Sequence, residues 1–141
     1  MFNRLTVSAV LAAAAIFAPL TASAQAASVN MLPEPIALQD GSFLLTIFLR
    51  HDQSKPLAEI KRELSEQDYF KRFPPQGIEV ASWYVMMGIG QVVTLKVPAE
   101  RLREVNLAIE QSAWGAYRTE FYPTYDYTLA ARADLEAAAK K

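Results

Sequence analysis

Apolar residues alternate on both sides of a glycine pair between residues 77 and 98, and the rest of the chain is organised around that stretch. Two runs rich in β-branched and aromatic residues flank Gly88-Ile89-Gly90, which predicts a β-hairpin with those three residues as its turn. One of the glycines supplies the positive φ of a bulged loop. With Met87 facing Gln91, residues Ala81, Trp83, Val85 and Met87 share a face with Val93, Leu95 and Val97. Val80, Ser82, Tyr84 and Met86 share the other face with Val92, Thr94 and Lys96. A one-residue slip would set Trp83 beside Lys96, so the pattern itself selects this assignment of faces. The first is a dry core face and the second is mixed.

The same reading extends outward. Residues 41–51 predict a first strand, with Phe43, Leu45, Ile47 and Leu49 on one face and Leu44, Thr46 and Phe48 on the other. Apolar residues on both faces mark a central strand covered on both sides. Leu57, Ile60 and Leu64 then recur at helical spacing, after Ser54 as N-cap and Pro56 in the first turn. That helix ends before Phe73-Pro74-Pro75. Pro98 opens a second helix with the stripe Leu102, Val105, Ile109 and Ala113, stopped at Gly115. Residues 116–122 predict a fourth strand, ended by Pro123. Residues 27–40 hold two prolines and no periodicity, an extended leader. Residues 128–141 are alanine-rich, a tail with helical character and few apolar anchors.

Over residues 41–127 the order is βαββαβ. It predicts an α+β domain, a ferredoxin-like split-βαβ sandwich with strands one and three central and both helices on one sheet face. The opposite face still carries Leu44, Phe48, Val80, Tyr84, Met86 and Val92. Soluble monomers avoid apolar patches of that kind. Packing two such faces together makes a closed homodimer, a dimeric barrel.

Ahead of this domain, Arg4 precedes an apolar run over residues 5–20, then Ala22-Ser23-Ala24 and Ala24-Gln25-Ala26. A basic start, an apolar core and small-residue cleavage patterns predict a bacterial secretory signal peptide over residues 1–26, and hence a periplasmic or secreted protein. The run is short for a membrane span and is broken by Pro19, so no membrane association is expected after cleavage. The mature chain has roughly 115 residues, one domain by size. Cysteine is absent, which excludes disulfides and thiolate chemistry, and with no cysteine after the cleavage region no lipoprotein anchor is expected. The net charge of −1 leaves no nucleic-acid footprint. Lys61-Arg62 and Lys71-Arg72 are interleaved with Glu59, Glu63, Glu66 and Asp68, as on a solvated helix face.

By element order and spacing, residues 41–127 resemble the dimeric α+β barrel superfamily, and within it small single-domain members of the muconolactone isomerase type. The resemblance implies a homodimer and a small hydrophobic or aromatic ligand, without choosing a reaction. The superfamily includes isomerases, monooxygenases, haem-degrading enzymes and plain ligand binders. It supplies no catalytic motif to match position by position.

His51, the only histidine, ends the first strand. A histidine suits acid–base work at neutral pH; it is equally a polar residue where a strand leaves the sheet. Trp83, Trp114 and Arg118 are the candidate ligand-binding residues. Tryptophans line pockets as well as cores, and Arg118 can orient a polar group or form an ion pair. With one histidine, no cysteine and no carboxylate cluster, no metal site or cofactor is expected. The expected function is an exported small-molecule binder, extending to an isomerase-type enzyme with His51 as acid or base. The alternative is a non-catalytic structural or interaction module that dimerises through its sheet face.

Overall fold

A computed structural model describes residues 31–141; the expected signal peptide lies outside them. The chain divides into two compact units. One is Pro33–Ala131; the described part of the other is Met31, Leu32 and Arg132–Lys141. In the smaller unit an Arg132 guanidinium N–H donates to the Leu32 carbonyl at 3.2 Å.

The larger unit is an α+β arrangement of a four-stranded antiparallel sheet and helices. Its strands are β1 (Ser42–His51), β2 (Glu79–Met86), β3 (Gly90–Pro98) and β4 (Tyr117–Thr124), in spatial order β2-β3-β1-β4. The helices are α1 (Leu57–Glu66), α2 (Tyr69–Arg72) and α3 (Leu102–Ser112), the last entered through a 3-10 turn, Ala99–Arg101. A final helix, α4 (Thr128–Ala139), has no buried residue.

Alternation along the strands builds one core. Leu45, Ile47 and Leu49 of β1 and Val93, Leu95 and Val97 of β3 are buried against Ile60 and Leu64 of α1, Tyr69 of α2, and Val105 and Ile109 of α3. Leu102, expected in the α3 stripe, is 42% exposed and directly follows the 3-10 turn.

Three local features depart from expectation. The first is the hairpin. Met86 pairs with Gly90, Val85 with Gln91 and Trp83 with Val93, so the turn is Met87-Gly88-Ile89. The pairing differs by two residues from the expected one, and a two-residue shift leaves every side chain on its own face. The second is a bulge at Ala81: Val80 pairs with Leu95, but Ser82 with Thr94. It turns Val80 to the helix side and brings Glu79 opposite Lys96, where the two form an ion pair at 2.6 Å. The third is the first helix, which is two helices. Asp68 takes a left-handed φ of 54°, a conformation that short polar side chains tolerate, and breaks the run. The break lets Tyr69 turn inward, where it is fully buried. Ser54 is not the N-cap. Its N–H and hydroxyl both donate to Asp52 Oδ1, at 2.9 and 2.6 Å, and Pro56 precedes α1.

The sheet face away from the helices is mixed. A threonine ladder crosses three strands, with Thr46 3.0 Å from Thr94 and 2.8 Å from Thr124. Arg50 Nε donates to Glu120 at 2.9 Å, and the Tyr122 hydroxyl donates to the same carboxylate at 3.1 Å. The Arg50 hydrogen bond holds the Glu120 carboxyl below its usual range. Phe48 meets Tyr122 edge-on at 5.6 Å, and Tyr84 and Met86 are exposed. The expected apolar patch is smaller than its six residues. Leu44 is 2% exposed, and the bulge removes Val80 to the other face.

Candidate functional site

The alternation that buries Leu49 places His51, two residues on, on the same helix-facing side at the end of β1. There it pairs with Tyr117, and the two rings stack at 5.4 Å with 9° between their planes. The His51 backbone N–H donates to the Ile89 carbonyl at 2.9 Å, tying the strand end to the hairpin turn. Gln91 follows Gly90 on β3 and occupies a core-face position. Its Oε1 accepts from the Trp83 indole at 2.7 Å, and its Nε2 donates to the Tyr117 hydroxyl at 2.9 Å. From α2, Tyr69 reaches in edge-on to Tyr117 at 6.2 Å and stacks on Phe73 at 5.5 Å.

Between these groups and the α1–α2 corner lies a cavity of about 630 Å³. Leu57, Leu64, Phe70 and Val85 supply apolar wall, and His51, Tyr69, Gln91 and Tyr117 supply polar groups. Lys61, Asp68 and Lys71 also line it, and Asp68 is paired with Lys71. The volume falls inside the ordinary range for small-molecule sites, and so does the makeup of many apolar groups with a few convergent polar ones.

Two of the polar atoms have no partner among the described residues: His51 Nε2 and the Tyr69 hydroxyl are buried without a hydrogen bond. Burial, reinforced by neighbouring Tyr117, pushes the Tyr69 phenol far above its ordinary pKa, and burial raises that of Tyr117 as well. Both are therefore protonated hydroxyls at neutral pH, able to donate. An unpaired buried hydroxyl costs free energy, so its presence beside a cavity is informative.

The four sequence candidates do not converge. His51 lines the cavity. Trp83 does not; it stands one bond behind, donating to Gln91 and packing edge-on against Phe73 at 5.8 Å. Trp114, on the link between α3 and β4, is 54% exposed; its indole donates to the Thr119 hydroxyl at 3.1 Å, and it lines no part of the cavity. Arg118 is placed away from the site by alternation. Tyr117 faces the helices, so Arg118 faces the other way, opposite Arg50, with its side chain 81% exposed. Tyr69, Gln91 and Tyr117 were not among the candidates. Gln91 carried a readable signal, a lone polar residue in phase with Val93, Leu95 and Val97. Among the described residues no cluster of histidine and carboxylate groups could hold a metal ion.

Comparison with protein-family models, with curated proteins and with solved structures found no match.

Proposed function

We propose that this protein is an exported binder of a small apolar molecule, held in the cavity between the helix-facing end of β1 and the α1–α2 corner. The observation that carries the reading is that cavity, a largely apolar hollow of about 630 Å³ beside buried His51 Nε2 and Tyr69 hydroxyl groups that have no partner among the described residues. The reading extends to isomerase-type catalysis. His51 Nε2 would take a proton from a carbon beside an electron-withdrawing group of the ligand. The electron pair would delocalise onto that group, and the same proton would return to a different carbon. The domain is read as ferredoxin-like, in the manner of the muconolactone isomerase-like small domains.

Purification from the periplasm followed by mass spectrometry tests the core of this. The expected result is a mature terminus after Ala24 or Ala26 and a small apolar molecule that leaves with the native protein. His51→Ala should fold as the wild type does and lose turnover of that molecule. A wild-type protein that carries nothing and binds no apolar probe would instead be the interaction module.

The open sheet face, with Phe48, Tyr84, Met86, Val92 and Tyr122, is the proposed dimer surface. Tyr84 is 70% exposed and Met86 44% in the single chain, and burying both against a second copy would close a barrel. Sedimentation equilibrium should give a dimer at micromolar concentration. Met86→Glu should shift it to monomer, since an unpaired charge in such an interface costs several kcal/mol, of the order of 3. A wild-type monomer at those concentrations overturns the barrel.

A further inference from the structure

Two phenols at the cavity make the same hydrogen-bonding demand, and for Tyr117 one indole sets it. An indole N–H can only donate, so Trp83 Nε1 at 2.7 Å assigns the oxygen end of the Gln91 amide to itself. The amide nitrogen is left for Tyr117, 2.9 Å away. The Tyr117 oxygen therefore accepts, and its hydrogen must be given to something else. Among the described residues no acceptor takes it: His51 Nε2, stacked beside it, makes no hydrogen bond. The fully buried Tyr69 hydroxyl is likewise without a partner. The one carboxylate in the cavity lining, Asp68, is engaged by Lys71. Two phenol hydrogens at one apolar cavity thus lack acceptors. An acceptor that reaches the fully buried Tyr69 hydroxyl must leave water, which costs a charged group far more than a neutral one.

Resting on the reading of the cavity as a ligand site, we infer that its ligand is an apolar molecule bearing a neutral acceptor of the carbonyl class. The hydroxyls of Tyr69 and Tyr117 receive that oxygen. Trp83, outside the cavity lining, is a positioning residue: through the Gln91 amide it decides which way the Tyr117 hydrogen points. Without the indole, the Gln91 amide is free to turn over, present its oxygen to Tyr117 and absorb that hydrogen.

The test uses two probes of one shape, 2-acetylnaphthalene and 2-isopropenylnaphthalene, which differ in C=O against C=CH2, titrated into the mature protein. The wild type should bind the ketone about tenfold more tightly, the worth of one to two net hydrogen bonds. Tyr69→Phe/Tyr117→Phe should bind the two alike, with its affinity for the alkene unchanged. Trp83→Phe should lower the preference about threefold while leaving alkene affinity in place, a split that a loss of packing alone would not produce. Thermal melts check that each variant is folded; if Trp83→Phe is not, the tyrosine variants decide. A wild type that binds both probes equally overturns the carbonyl inference and leaves the cavity reading standing. So does a tenfold preference that survives removal of both hydroxyls. Binding of neither probe overturns both.

Discussion

Gly90→Ala should destabilise the domain by roughly 3 kcal/mol or more, enough to unfold a marginal protein. Gly90 has φ +136°, a region that side-chain-bearing residues rarely enter. A Cβ there would also overlap the Leu49 carbonyl oxygen and lie 2.9 Å from His51 Cδ2 and 3.0 Å from His51 N. Two of those atoms are backbone of the central strand, which cannot swing aside as a flexible side chain would. Gly88 is the control. Its φ is +81°, but nothing lies within 4 Å of an added Cβ, so Gly88→Ala should cost only about 1 kcal/mol. Guanidinium unfolding of both variants measures the difference. A Gly90→Ala loss no larger than that of Gly88→Ala would mean that β1 and β3 can separate locally. If a fraction of Gly90→Ala stays folded, it should still bind ligand poorly, because the same overlap pushes His51 out of its stack on Tyr117.

That pair of glycines also shows what the sequence could and could not tell. Both were legible as belonging to a hairpin, and the alternation around them assigned Trp83, Val93, Leu95 and Val97 to one face. It could not choose between pairings two residues apart, because face patterns repeat every two residues. The close approach of β1 to Gly90 chooses, and it depends on a strand about forty residues away in sequence. The bulge at Ala81 is a backbone event with no side-chain signature, so Val80 was assigned to the wrong face. The break at Asp68 was hidden for a related reason. Leu57, Ile60 and Leu64 carry a helical period, and nothing in that period says where a left-handed residue will end it. His51 could be placed at the cavity because it is in phase with Leu45, Ile47 and Leu49. Arg118 could have been excluded by the same counting once Tyr117 was known to face inward. Tyr69 was out of reach, since only the Asp68 break carries it into the core.

Tyr69 is where the second large effect is expected, and its two halves should act in opposite directions. Tyr69→Ala should cost about 3–5 kcal/mol, the usual loss for deleting a buried aromatic ring. The ring is fully buried, stacked on Phe73 at 5.5 Å, edge-on to Trp83 at 6.5 Å and to Tyr117 at 6.2 Å. Those neighbours lie just past the end of α2, on β2 and on β4, so no single element can move to fill the space. Tyr69→Phe keeps every ring contact and deletes only the hydroxyl, which has no partner among the described residues. It should therefore raise stability by about 1 kcal/mol, the desolvation penalty relieved. Denaturant unfolding of the ligand-free protein measures both. A Tyr69→Phe variant less stable than wild type would mean that the hydroxyl is already satisfied in the free protein and is not held in reserve. On the proposed ligand reading the gain has a functional meaning, because a site that must meet a ligand oxygen has to keep a donor unspent. Stability given up at one buried hydroxyl is the trade-off expected between folding and binding.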